Sequence, residues 1–157
     1  MEQEHLVATL TLDVDFAGIV RIGAGPEGFR GIARVTGGRI EGEGLSADVV
    51  IGEDWFVIRS DGSVGIDVRA TLRDDADVPL ALTYVGELSG MPEALANFAR
   101  GKAMVPGSYV LATRARIGSG DPKYAWLDAL SLVGSAEQTA GGVIYRFYAD
   151  AKAEMAA

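Results

Sequence analysis

The stretch Arg21–Arg30, RIGAGPEGFR, has the glycine spacing Gly23-x-Gly25-x-x-Gly28 of a dinucleotide-binding loop. Its reading decides between an α/β fold and an all-β one. The spacing has physical meaning only where a strand ends and a helix begins, because there the free N–H groups of the first helical turn meet a pyrophosphate. From Phe29 onward the chain reads FRGIARVTGGRIEG. Phe29, Ile32 and Val35 stand three apart, but Gly31, Gly37 and Gly38 weaken any helix there. Pro26 pre-sets a turn. The stretch therefore reads as a tight hairpin running into a strand, with glycines that let the chain reverse. No nucleotide is expected on it.

Working outward, the chain is mostly strand. LVATLTLDV, residues 6–14, alternates, with Leu6, Ala8, Leu10, Leu12 and Val14 on one face. DWFVIRSDGSVGIDVRATLRDD reads as a hairpin about the turn signal Asp61-Gly62. PLALTYVGEL, GSYVLATRARI and VIYRFYA add strands, and KYAWLDALSLVGSAE fits either helix or strand. Only MPEALANFARG reads as helix: Pro92 suits a first turn, Leu95, Phe98 and Ala99 share a face, and Gly101 suits the end. About nine to ten strands around one short helix predict an all-β, mainly antiparallel fold, a closed or nearly closed β-barrel, with a two-sheet β-sandwich as the alternative. Residues 1–150 are expected to form a single barrel domain, and 151–157 a frayed or disordered C-terminal tail.

Composition narrows the function. The 157 residues suffice for a real core, and 48% are hydrophobic. The net charge of −8 disfavours nucleic acid and anionic membranes as partners. No apolar run approaches a membrane span, and MEQEHLVATL has acids where a signal peptide has basic residues, so a cytoplasmic location is expected. With no cysteine there is no thiolate or cysteine zinc site. A catalytic triad or multi-histidine metal site would have to rest on His5, the single histidine, so neither metal nor cofactor is expected. Acid–base work falls to Asp, Glu, Tyr or Lys. Exposed apolar surface on a small aromatic-bearing barrel also predicts a homodimer.

The hairpin supplies the candidate site. A two-residue turn at Asp61-Gly62 sets Ser60 opposite Ser63, Phe56 opposite Asp67, Trp55 opposite Val68 and Asp54 opposite Arg69. One face then carries Asp54, Phe56, Ile58, Asp67 and Arg69, and the other Trp55, Val57, Ile66 and Val68. The mixed face is either solvated, with Asp54 and Arg69 as a surface ion pair, or the lining of a polar cavity. A one-residue bulge would reverse the assignment. Tyr84, Tyr109, Tyr124, Trp126, Tyr145 and Tyr148 fall in strands or strand ends and combine a ring with a polar tip. Convergence of several of them on Asp67 and Arg69 would form a pocket for a small, partly aromatic ligand.

The run GDPKYAWLDALSLVGSAE, followed by GGVIYRFY and preceded by TGGRIEGEGLSADVV, EDWFVIRSDG, IDVRATLR and SYVLAT, resembles the family catalogued as domain of unknown function three-two-three-seven. The resemblance covers about Gly18 to Tyr148 and implies a calycin-like small β-barrel without an established activity. The family's DW, D-x-R and YAWLN elements fall on Asp54-Trp55, on Asp67 and Arg69, and on Tyr124 to Asp128, where Asp128 stands for the family's asparagine. Ala112 and Gly118 replace an arginine and a glutamate frequent in the family.

Two functions from different classes are consistent with these residues. The first is a binding module that holds a small hydrophobic or aromatic metabolite by Asp54, Asp67, Arg69, Tyr84, Tyr109 and Trp126. The second is a cofactor-free isomerase, cyclase or lyase. In it Asp67 or Asp128 moves a proton, Arg69 holds an anionic oxygen, and Tyr84 or Tyr109 donates a hydrogen bond. The enzyme requires a carboxylate whose burial lifts its pKa towards neutrality; the binding module does not. A purely structural or assembly role is the third reading.

Overall fold

The computed structural model describes residues 5–150, so the tail expected at 151–157 lies outside the described residues. Eight antiparallel strands close into an up-and-down barrel in chain order: β1 (Leu6–Gly25), β2 (Gly28–Gly42), β3 (Leu45–Ile58), β4 (Val64–Asp74), β5 (Pro79–Gly90), β6 (Tyr109–Gly118), β7 (Leu132–Gln138) and β8 (Gly142–Ala149). The count falls below nine to ten because the first strands are long and bent. The 20-residue β1 shifts register against β2 at three places and so spans the length of two ordinary strands. Between β1 and β2 only Pro26 and Glu27 form the turn, with Gly25 opposite Gly28. At Gly28, φ is 142°, and a side chain would run into the carbonyl oxygen of Ile58. The glycines of the opening stretch therefore serve a hairpin and a close strand approach, and no helix succeeds them.

Helix α1 (Pro92–Ala99) lies where the sequence places it, with Pro92 at its first turn and Gly101 just past its end at φ 72°. Its Ala94 and Leu95 are buried, and its Phe98 meets Phe56 of β3 edge to face at 6.3 Å. The ambiguous KYAWLDALSLVGSAE divides. A 3-10 turn (Pro122–Tyr124) leads into the single turn α2 (Ala125–Asp128), and β7 comes after it. Tyr124 and Trp126 are thus not the strand residues expected. None of the described helices is long and apolar enough to cross a membrane.

The β3–β4 hairpin corrects the expected register. Arg59 N–H donates to Ser63 C=O at 2.9 Å, so Ser60, Asp61 and Gly62 form a three-residue loop. Gly62 takes φ 88°, and Asp61 Oδ1 accepts from Ser63 N–H at 2.9 Å. The extra residue moves every pair by one: Phe56 faces Ile66, Trp55 faces Asp67, Asp54 faces Val68, and Glu53 faces Arg69. The apolar alternation of β4 explains the outcome. Val64, Ile66, Val68, Ala70 and Leu72 are all buried, and a one-residue slip would turn that whole set to water. Asp67 and Arg69 consequently point outward and are exposed.

Inside, one ladder row alternates bulk with its absence. Gly31, Phe56, Ile66, Gly86, Thr113, Gly134 and Phe147 succeed one another across β2 to β8. A methyl added to Gly31 would stand 2.5 Å from the Phe56 ring, and one on Gly134 would stand 2.9 Å from Phe147. Large side chains lie across bare backbone, so the barrel fills its own centre. Tyr84, Tyr145 and Phe147 pack together there, the two tyrosine rings 4.8 Å apart.

The seam joins β1 to β8, from Leu6 opposite Tyr148 to Asp13 opposite Gly142, and Ala149 N–H donates to His5 C=O at 3.0 Å. His5 is exposed beside it. At the His5 end of the barrel, Asp74 fastens the β4–β5 turn to the 3-10 turn. Its carboxylate accepts Lys123 Nζ at 2.7 Å, the Tyr124 hydroxyl at 2.5 Å, and the N–H groups of Ala76 and Val78 at 2.9 Å each. Lys123 first, then Tyr124, holds this carboxyl far below the ordinary carboxylate range.

Candidate functional site

The opposite end of the barrel holds a small chamber of about 60 Å³. Residues of all eight strands wall it, among them Leu12, Ala33, Phe56, Ile66 and Val143. Phe98 of α1 and Met104 of the loop after it also line it, as do Phe16 and Ile19 where β1 bends. Four polar residues border this apolar space: Asp54, Tyr109, Gln138 and Tyr145. Two of them are already engaged with each other and with the α1–β6 loop. Gln138 N–H donates to the Tyr109 hydroxyl at 2.7 Å, and Gln138 Oε1 accepts Met104 N–H at 2.7 Å. These bonds tie that loop to β7.

Asp54 is different. It sits on the inward face of β3 between Phe56 and Gly52, and its Oδ1 is sealed with no hydrogen-bond partner among the described residues. The residue as a whole is half-buried and borders the chamber. Burial pushes its carboxyl up to about 7. The backbone amide of Asp67 pulls back slightly without an ordinary hydrogen bond, and the Asp67 carboxylate, on the far side of the sheet, adds a smaller upward push. The Tyr84 hydroxyl and Thr113 Oγ1 are likewise buried and without hydrogen-bond partners among the described residues. Tyr145 is close enough to perturb the Tyr84 hydroxyl but lacks the geometry to bond it. Burial raises both tyrosines, and the Asp54 charge adds to it. Unpartnered buried polar atoms are uncommon, and three in one barrel interior mark a region not built for stability alone.

The structure brings together only part of the expected residue set. Asp54 and Tyr109 border the chamber, and Tyr84 lies buried near Asp54. Asp67 and Arg69 stand on the outer surface instead, Asp67 in a cross-strand row with Trp55, Val85 and Arg114, and Arg69 beside Glu53 and Thr83. The three-residue loop of the β3–β4 hairpin is the cause. Trp126 is 39% exposed at the far end, facing Gly44 of the β2–β3 turn. Asp128 is exposed there too, lying over Gly118, where an added methyl would come within 2.6 Å of its Oδ1. Gly118 and Asp128, two of the positions that depart from the family pattern, therefore touch each other and lie away from the chamber. Ala112 faces outward. The sequence reading missed Phe98, Met104 and Gln138 as lining. Phe98 lay on the recognised helix face, but nothing in the sequence says which barrel end that helix covers. Tyr145 was legible by alternation, since VIYRFYA puts Val143, Tyr145 and Phe147 on one face. Among the described residues no group of three or more His, Cys, Asp or Glu is placed to hold a metal ion.

Three comparisons bear on this architecture. A family model described as "Protein of unknown function (DUF3237)" matches residues 4–149. The UPF0311 protein RPA1785 of Rhodopseudomonas palustris is 31% identical over 118 residues, 74% of this chain and 77% of that protein. Its crystal structure, described as a conserved protein of unknown function, superposes with a TM-score of 0.84 at 27% identity, covering 94% of this chain and 95% of that one. A β-barrel-like protein from Acinetobacter baumannii AYE is 32% identical with a TM-score of 0.80, covering 94% of each chain. An enzyme from Penicillium herquei shares the fold at a TM-score of 0.68 and 12% identity, covering 96% of this chain and 98% of that one.

Proposed function

The chain belongs to the DUF3237 family, and from that premise we propose that it is a small-molecule-binding barrel whose guest sits in the chamber between Asp54 and the roof formed by Phe98 and Met104. One observation carries the reading: a carboxylate with no partner on its sealed oxygen borders a largely apolar space. Stability alone gives no reason to keep it, since burying an unpaired acid is costly and an apolar residue of similar size would be better tolerated. Volume limits the guest. A dry cavity that holds benzene measures ~150 Å³, well above the present chamber. A compact hydrophobic molecule fits directly, whereas an aromatic ring enters only if Phe98 and Met104 move outward. Protein-observed NMR with small alcohols and phenols tests this. Shifts should cluster at Phe98, Met104, Leu111 and Val143. Shifts confined to the exposed outer row around Trp55, or none at all, would overturn the reading.

A second reading, a cofactor-free isomerase, cyclase or lyase, is favoured by the Asp54 carboxyl near 7. A group titrating there exchanges a proton at neutral pH with little driving force in either direction. Proton transfer would then rest on Asp54, with Tyr109 or Tyr145 as the hydrogen-bond donor, rather than on Asp67, Asp128 and Arg69. Loss of all turnover in Asp54→Asn with guest binding retained is the outcome this reading requires.

A further inference from the structure

The chamber has a polarity that its apolar walls obscure. No lysine, arginine or histidine is among the described residues that border it, and Asp54 is its single carboxyl group. Tyr109 and Gln138 are held by each other and by the Met104 amide. Every other bordering side chain except Tyr145 is apolar. Resting on the binding reading above, we infer that the chamber selects a small lipophilic amine in its ammonium form, with the nitrogen against Asp54 and the hydrocarbon under Phe98 and Met104, and that it rejects carboxylates.

Three guests of one shape would act on Asp54 in different ways. A neutral guest leaves Asp54 as it is, either protonated or standing as an unpaired buried charge. A carboxylate guest places a second negative charge in the same poorly solvated space, where like charges a few ångströms apart repel strongly. An ammonium guest cancels the Asp54 charge and supplies N–H donors to a carboxylate of which one oxygen has no hydrogen-bond partner among the described residues. Desolvating an ammonium is expensive, often more than a buried ion pair returns. Here half of that cost has already been met, because folding has stripped water from Asp54 before any guest arrives. The remaining stem of the guest gains from apolar contact in proportion to the area it buries. Its hydrocarbon must be short, on the scale of an ethyl group, to suit so small a space.

Ethylamine, ethanol and propionate share an ethyl group and differ only at the head group, so calorimetric or NMR titration of the full chain with each one is the test. The expected order is amine, then alcohol, then carboxylate. The amine should lead the alcohol by roughly tenfold or more, the worth of one charge-assisted hydrogen bond. Asp54→Asn should remove that lead, so that ethylamine binds no more tightly than ethanol. The amine affinity of the wild type should rise between about pH 6 and about pH 8 as Asp54 loses its proton. The titratable groups facing Asp54 are Tyr84 on β5, Tyr145 on β8, Tyr109 on β6 and, through the sheet, Asp67 on β4. Burial raises Tyr84 and Tyr145, so neither ionises across that interval. Ethanol binding equal to or tighter than ethylamine, or an amine preference that survives Asp54→Asn, overturns the inference and leaves the chamber reading standing. Failure of all three probes to bind overturns both.

Discussion

Two inward-facing aspartates sit on neighbouring strands and meet opposite fates. Asp74, at the end of β4, accepts from Lys123, Tyr124 and two backbone amides, and its carboxyl is held far down. Asp54, on β3, has a sealed oxygen with no partner among the described residues, and burial lifts its carboxyl to about 7. Both are acids turned into the barrel, yet one is surrounded by donors and the other keeps an oxygen with no hydrogen-bond partner among the described residues. Asp74 therefore works as a clasp that spans a turn, a helical segment and a strand. Asp54 stands where a folding protein gains least from a charge.

Several substitutions would break or sharpen this contrast. The largest effect is expected at the clasp. Asp74→Ala strips the acceptor from four donors at once, and thermal unfolding should shift down on the order of 10 °C. An unchanged midpoint would show that the far end holds without it.

Asp54→Asn should move stability the other way. A rise from the ordinary aspartate value to about 7 corresponds to a penalty of about 4 kcal/mol once the group is ionised. The replacement amide is itself unsatisfied, which returns ~1–3 kcal/mol of that relief. A net gain of about 2 kcal/mol at about pH 8 is therefore expected from denaturant titration. A loss at that pH would mean that Asp54 has a partner.

The two acids also predict opposite pH slopes. The folded-state pKa of Asp54 is raised, so the wild type should lose stability as pH climbs from about 4 to about 7, and the advantage of Asp54→Asn should vanish below about pH 4. The folded-state pKa of Asp74 is depressed, so its contribution is present above about pH 4 and fades as the solution is acidified below that. Denaturant midpoints from about pH 3 to about pH 8 for the two single variants and the wild type resolve both slopes.

The smallest expected effects come from a pair of hydroxyl deletions. Tyr124→Phe removes a donor that Asp74 uses and should cost about 1 kcal/mol. Tyr84→Phe removes a hydroxyl with no hydrogen-bond partner among the described residues and should be neutral or stabilising by up to about 1 kcal/mol. Equal losses at both positions would erase the distinction between the two ends.

Much of the fold was legible in the chain. The alternation of LVATLTLDV, the helix signals around Pro92 and the absence of helical spacing after Gly28 pointed to a closed or nearly closed antiparallel barrel with one short helix, leaving a two-sheet sandwich as the alternative that the closed eight-strand order removes. The site was less legible, and for a specific reason. Asp54-Trp55 and Asp67-x-Arg69 look like one constellation, but which members share a face depends on whether the loop at Asp61-Gly62 has two residues or three. That single residue sent Asp67 and Arg69 outward and kept Asp54 within. The β4 pattern favoured this outcome, since Val64 to Leu72 alternate without a break, but a hairpin read from its turn signal alone overrides that clue. Phe98 and Met104 were hidden more deeply, because their role depends on a packing choice between elements far apart in sequence.

The seam between β1 and β8 bears on how the chain finds its fold. Every other strand pair joins sequence neighbours and can zip locally, whereas this pair closes a loop that spans nearly the whole described chain. Its formation is the step at which an open, edge-exposed ribbon becomes edgeless, and before it the first and last strands are the sticky ends of the ribbon. The same seam brings residue 5 within a hydrogen bond of residue 149, so a short linker between the two ends would turn the molecule into a covalent ring. Cutting that ring at the exposed Ser60–Gly62 loop would yield a circular permutant in which β3 and β4 become the terminal strands and the old seam becomes an ordinary hairpin.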